Sequence, residues 1–177
     1  MPASPYAVAI ADRQKTLTLD QRRLVRVARS VLSAEGVLRA SISVALVNNR
    51  EMHVLNRDFL QHDYPTDVLS FLLDEESVPA GKKARRTGEL RGAGKTLDGE
   101  VIINTEYARD EAALHDWDPS SEVLLYLVHG LLHLCGYDDV SDKDLRIMRA
   151  REVEVLGLWK LVPPYTLAPG KTRKRKL

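Results

Sequence analysis

A chain of 177 residues with 44% hydrophobic and 29% charged side chains has the size and composition of one compact domain with a sizeable core. Its formal net charge of +1 excludes a generally basic coat for nucleic acid but leaves local patches open. Cys135 is the single cysteine, so no intramolecular disulfide can form, and no leader or run of ~18 apolar residues points to secretion or a membrane span. A soluble protein of the reducing cytoplasm is expected.

Residues 5–11 (PYAVAIA) are short, apolar and alternating, which predicts a first strand. In residues 19–34 the apolar positions Leu24, Val25, Val27, Ala28, Val31 and Leu32 recur at helical spacing, with Asp20 in the first turn and Gly36 closing the pattern. Residues 40–47 alternate Ile42, Val44 and Leu46 against Ser41, Ser43 and Ala45, as a half-buried strand does, and Asn48 and Asn49 make a turn. Residues 50–60 read as a short helix through Met52, Leu55, Phe59 and Leu60, and Pro65 ends that region. Residues 66–73 (TDVLSFLL) have strand length, interrupted by Asp67 and Ser70. Residues 74–98, rich in Gly, Lys, Arg and Glu, predict a long mobile surface loop carrying Lys82, Lys83, Arg85, Arg86, Arg91 and Lys95.

A fourth strand is expected at residues 99–104 (GEVIIN) and a helix at residues 105–115. Asp118, Pro119 and Ser120 open another helix, apolar nearly all round through residues 123–134 and therefore buried. A last helix begins at Ser141, with Leu145, Ile147, Met148, Val153, Val155 and Leu156 spaced for packing, and ends at Gly157. Residues 163–177 finish in GKTRKRKL, too polar and basic to pack. These elements make an α+β fold: one domain over residues 1–162, with a small mixed four-stranded sheet packed by about five helices, followed by a basic flexible tail over residues 163–177.

The chemistry concentrates in residues 126–139, YLVHGLLHLCGYDD. A helix places His129 and His133 one above the other, and the chain after Gly136 can fold back to bring Asp139 to the same point. Burying two imidazoles in an apolar helix costs several kcal/mol unless both find partners, and a metal ion is a partner that both can share. Gly130 stands where a HExxH protease carries its glutamate, which disfavours peptidase chemistry. It serves either the approach of a bulky substrate or close helix packing.

At these residues the chain resembles the YbeY family of metalloproteins, whose motif HGxLHLxGYDH is met here by HGLLHLCGYDD. Residues 55–71, LNRDFLQHDYPTDVLSF, are similar to a second family block, and residues 98–104, DGEVIIN, to the family's GDI-containing strand. The resemblance implies an endoribonuclease acting in ribosomal RNA maturation and ribosome quality control, in which a metal-activated water attacks a phosphodiester. It implies one divalent ion, zinc, held by His129, His133 and Asp139, with ribosomal RNA or the ribosome as partner and neither DNA nor a membrane.

Two departures fall at functional positions of the family. Asp139 replaces a ligand histidine; carboxylate is a legitimate zinc ligand, but its charge makes a bound water less acidic and a phosphodiester less strongly attracted. Its other reading is a cap on the helix starting near Ser141. Leu60 stands where the family has an arginine, and can neither clamp phosphate nor stabilise developing charge. The alternative function is therefore a ribosome-associated assembly factor that keeps the fold and RNA contact with weakened or lost catalysis; Arg57 and His62 are nearby substitutes for the arginine or simply solvated residues.

Asp67 either orients a ligand imidazole or caps backbone groups, Ser70 is structural, and Glu100 is a candidate base or a solvated strand residue. Cys135 is expected to be a small core residue, and His53 and His115 to be surface residues. Lys171, Arg173, Lys174, Arg175 and Lys176, with the basic loop, are candidate RNA phosphate contacts.

Overall fold

The computed structural model describes residues 3–78 and 90–166. In chain order the elements are β1 (Tyr6–Asp12), α1 (Gln21–Ala34), β2 (Arg39–Val47), α2 (Asn49–Leu60), β3 (Val68–Ser77), β4 (Lys95–Asn104), α3 (Thr105–Leu114), α4 (Pro119–Cys135) and α5 (Asp142–Gly157), then a 3-10 turn, Pro164–Thr166. The four strands form one mixed sheet in the order β1-β2-β4-β3, with β3 antiparallel to β4 and the other neighbours parallel. Among the described residues, four strands and five helices make the expected α+β architecture.

Strand alternation assigns the two faces. Ile42, Val44, Leu46, Val101 and Ile103 join the main core with α1, α4 and α5, while Ala45, Val47, Leu69 and Ile102 pack under Met52 and Leu55 of α2. Helix α4 is the centre of the main core: every residue from Ser121 to Cys135 is buried except His133. It lies so close to the sheet that a Cβ on Gly130 would stand 2.7 Å from Val101 Cγ1. Close packing thus explains Gly130.

The β3–β4 ribbon differs most from expectation. Both strands run ten residues, so 74–77 and 95–98, read as parts of a loop, are paired strand. The register slips between Leu72 and Asp74, leaving Leu73 as the extra residue of a bulge and 65% exposed. Beyond the bulge the β3 side chains face solvent, so no apolar alternation marks the extension; pairing with β4 and the Lys95–Glu75 ion pair at 3.2 Å hold it. At the other end, ordered packing passes the expected boundary at 162: Pro163 is buried and Tyr165 packs against the main core.

A buried ionic cluster ties this core together. Glu35, wholly buried just after α1, accepts from Arg151 Nε on α5 and from the Tyr137 hydroxyl (2.9 Å), while Arg151 also reaches the Ala34 carbonyl (2.9 Å). Burial, then the charge of Glu35, pushes the Tyr137 phenol up to about 12.

Candidate metal centre

Helix α4 starts with Asp118, whose carboxylate accepts from the Ser121 amide at 2.8 Å, and with Pro119 in the first turn. It stops at Gly136, whose φ of 110° lies in the region that disfavours a side chain. The Gly136 and Tyr137 amides then donate to the carbonyls of His133 and Leu132, both at 3.0 Å. Lys95 Nζ caps the Cys135 carbonyl (3.1 Å) and Arg91 the Gly136 carbonyl (3.2 Å), cations placed at the negative end of the helix. This termination turns the chain back and carries Asp139 over the two histidines.

His129 Nε2 and His133 Nε2 are 3.0 Å apart, and the Asp139 carboxylate lies 3.4 Å from the first and 3.5 Å from the second. One ligand atom from each residue falls within 4.8 Å of the others. The tautomers follow from the other ring nitrogens. His133 Nδ1 faces the Tyr137 carbonyl at 3.0 Å, which can only accept, so this nitrogen carries the proton. His129 Nδ1 faces Glu152 Oε1 at 2.5 Å, while Glu152 Oε2 accepts from the Tyr165 hydroxyl at 2.5 Å, which assigns the His129 proton to Nδ1 as well.

Both Nε2 atoms therefore present lone pairs to each other and to a carboxylate. A shared cation would satisfy three acceptors this close. Tetrahedral zinc with ~2.0–2.1 Å bonds to nitrogen and oxygen separates its ligands by about 3.3–3.4 Å, and the three observed separations bracket that value. The donor set fits a divalent ion. A proton fits less well, because burial, and then the neighbouring His129, push the His133 imidazole below its ordinary value against the pull of Asp139.

This shift has a measurable sign. The unfolded chain takes up a proton on His133 near pH 6.5 while the folded chain resists it. The contribution of His133 to metal-free stability is thus full above about pH 6.5 and is lost as pH falls below it. Urea midpoints of metal-free protein are expected to decline from pH 7 toward pH 5, and less so in His133→Ala; equal declines in both proteins would contradict this.

Among the expected residues, the structure brings His129, His133 and Asp139 together. Asp139 does not cap the last helix: the Ser141 hydroxyl accepts from the Asp144 amide (3.0 Å) in that role. Asp67 is structural, its Oδ1 accepting from the Val68 amide (2.8 Å) and the Thr66 hydroxyl (3.1 Å) where β3 begins. Glu100 alternates with Val101, the residue beneath Gly130, and so belongs to the α2 face, away from the histidines. Cys135 is fully buried and its thiol is raised to about 12, mainly by burial, so it is inert packing. Leu60 is 45% exposed at the end of α2. Arg57 pairs with Asp58 and His62 stacks on Tyr64. His53 and His115 are surface residues, each side chain 41% exposed. Lys171, Arg173, Lys174, Arg175 and Lys176 lie outside the described residues, as do Lys82, Lys83, Arg85 and Arg86.

The sequence reading missed Glu152 and Tyr165, which brace His129. A signal for Glu152 was available: with Met148, Val155 and Leu156 it completes the buried stripe of α5, a carboxylate in a position that expects an apolar side chain. Tyr165 had no comparable signal. Its ring lies under the Arg149 guanidinium, 4.4 Å from centroid to Cζ.

The chain is also similar to known proteins of one family. A family model described as Endoribonuclease YbeY matches residues 9–160. The chain is 35% identical over 152 residues to Endoribonuclease YbeY of Syntrophotalea carbinolica, covering 85% of this chain and 93% of that protein. It is 33% identical over 156 residues to the protein of the same name from Salinibacter ruber, covering 88% and 94%. Among solved structures it resembles the solution structure of TM1509 from Thermotoga maritima, with a TM-score of 0.55 and 26% identity over 93% of this chain and 99% of that one.

Proposed function

The chain belongs to the YbeY endoribonuclease family, and from that premise we propose that it is a zinc-dependent endoribonuclease of the cytoplasm that cleaves ribosomal precursor RNA. The observation that carries the metal assignment is the convergence of two Nε2 lone pairs and the Asp139 carboxylate, with both Nδ1 protons already committed. A divalent ion held there would supply Lewis acidity and an activated water for attack on a phosphodiester. His129 and His133 hold its place from one rigid helix, and Glu152 and the Tyr137 carbonyl fix their rings. Asp139 completes the set while offsetting part of the ion's charge. The tail residues Lys171, Arg173, Lys174, Arg175 and Lys176 are assigned to RNA phosphates on their charge alone.

The exposed, neutral Leu60 favours one second reading, an RNA-binding assembly factor with little catalysis. Metal analysis of purified protein, with cleavage of single-stranded RNA before and after chelation, separates the two. The enzyme retains about one ion per chain, loses cleavage on chelation and regains it with added zinc. Full metal loading without cleavage, with RNA binding that survives metal removal, would establish the assembly factor instead.

A further inference from the structure

The net charge of +1 conceals a segregation. From Arg13 to Arg39 the chain has seven basic and two acidic side chains, a net of +5. One of those acids, Glu35, is buried against Arg151. The centre of this segment is α1, whose buried face is Leu24, Val27, Ala28, Val31 and Leu32. Arg22, Arg26 and Arg29 follow at i, i+4 and i+7 on the opposite, exposed face, with Arg23 half-buried beside them.

Fold stability does not call for this arrangement. Like charges at i, i+4 destabilise a helix by a few tenths of a kcal/mol, and a face that is merely solvated usually mixes both signs. Here no acid lies between Asp20 and Glu35, and among the described residues Arg22, Arg23 and Arg26 join no ion pair. Arg29 donates from Nε to the Tyr6 carbonyl at 3.2 Å, which holds its guanidinium at the β1 edge. The Trp159 indole donates to Ser30 Oγ at 2.8 Å, which sets the turn bearing exposed Lys160 against the same helix. All four cations of α1 are arginines, the side chain suited to bidentate phosphate contacts.

We infer that the Arg22–Arg26–Arg29 face of α1 is a docking surface for the phosphate backbone of RNA, distinct from the metal centre and from the basic tail. The inference rests on the reading of the chain as an enzyme acting on RNA. It assigns this face to sequence-independent anchoring of the substrate, and cleavage to His129, His133 and Asp139.

The test uses the full chain in chelator, so that binding is read without cleavage, with a fluorescein-labelled RNA hairpin bearing single-stranded arms and a range of salt concentrations. In R22Q/R26Q/R29Q the affinity is expected to fall about tenfold, and the slope of log K against log salt to shrink by about two to three. R22K/R26K/R29K should recover most of that slope. R22Q/R26Q/R29Q should retain the wild-type zinc content, which shows that the loss of affinity is not a loss of fold. If affinity and slope do not change in R22Q/R26Q/R29Q while the wild type binds and cleaves, the surface is wrong and the enzyme reading stands. A wild type that neither binds nor cleaves RNA would sink both. Loss of binding to phosphatidylglycerol vesicles with RNA binding intact would overturn the inference in favour of a membrane surface.

Discussion

His129→Ala is expected to abolish metal retention and to reduce RNA cleavage by about 10³-fold or more, the loss of several kcal/mol of charge stabilisation. His129 supplies one of three converging donors, and an aspartate with a single histidine forms an incomplete set. Stability in the absence of metal separates the two histidines. His133→Ala relieves the facing lone pairs at a half-buried ring and strands no buried carboxylate. His129→Ala leaves Glu152, 2% exposed, with one partner fewer and should be the less stable variant. Glu152→Gln, which keeps all three candidate ligands but changes the group orienting His129, should weaken zinc binding by about 10- to 100-fold. Competition with a chromophoric chelator measures all three variants; wild-type affinity in His129→Ala would place the metal elsewhere.

Glu35→Ala is expected to have the largest effect on stability, about 3 kcal/mol. It removes the partner of Arg151, whose side chain is 12% exposed, and the acceptor of the Tyr137 hydroxyl. Arg151 keeps Glu154 at 2.7 Å, but that carboxylate is 71% exposed and compensates little. In a chain of this length the melting temperature should fall by about 10 °C. The effect should also reach the candidate metal centre, because the Tyr137 carbonyl accepts the hydrogen bond from His133 Nδ1 and the next two residues lead to Asp139. Zinc affinity should therefore fall together with stability. A melting temperature unchanged in Glu35→Ala would mean that the cluster contributes nothing net.

Much of this could be read before any coordinates. The His129–His133 spacing, the glycine stop and the returning Asp139 are local features, and local features survive folding because helix geometry and the turn that ends the helix set them. The strand and helix order was legible for the same reason, since each element carries its own period. The outer ends of β3 and β4 were not, because an exposed ribbon satisfies its backbone through pairing and needs no apolar pattern. Glu152 and Tyr165 act through a contact between segments distant from His129 in sequence, which periodicity within α5 can only hint at. The arginines of α1 were hidden differently: a total charge near zero averages away a face of one sign.

The brace on His129 also has an order in time. A protein is synthesised from its N-terminus, so Glu35 is made long before Arg151, and His129 before Glu152 and Tyr165. A nascent chain that has just passed Asp139 holds three candidate ligands but not the groups that fix the first of them. Only after residue 165 clears the ribosomal exit can His129 gain both of the groups that brace it, which delays the final form of the candidate centre.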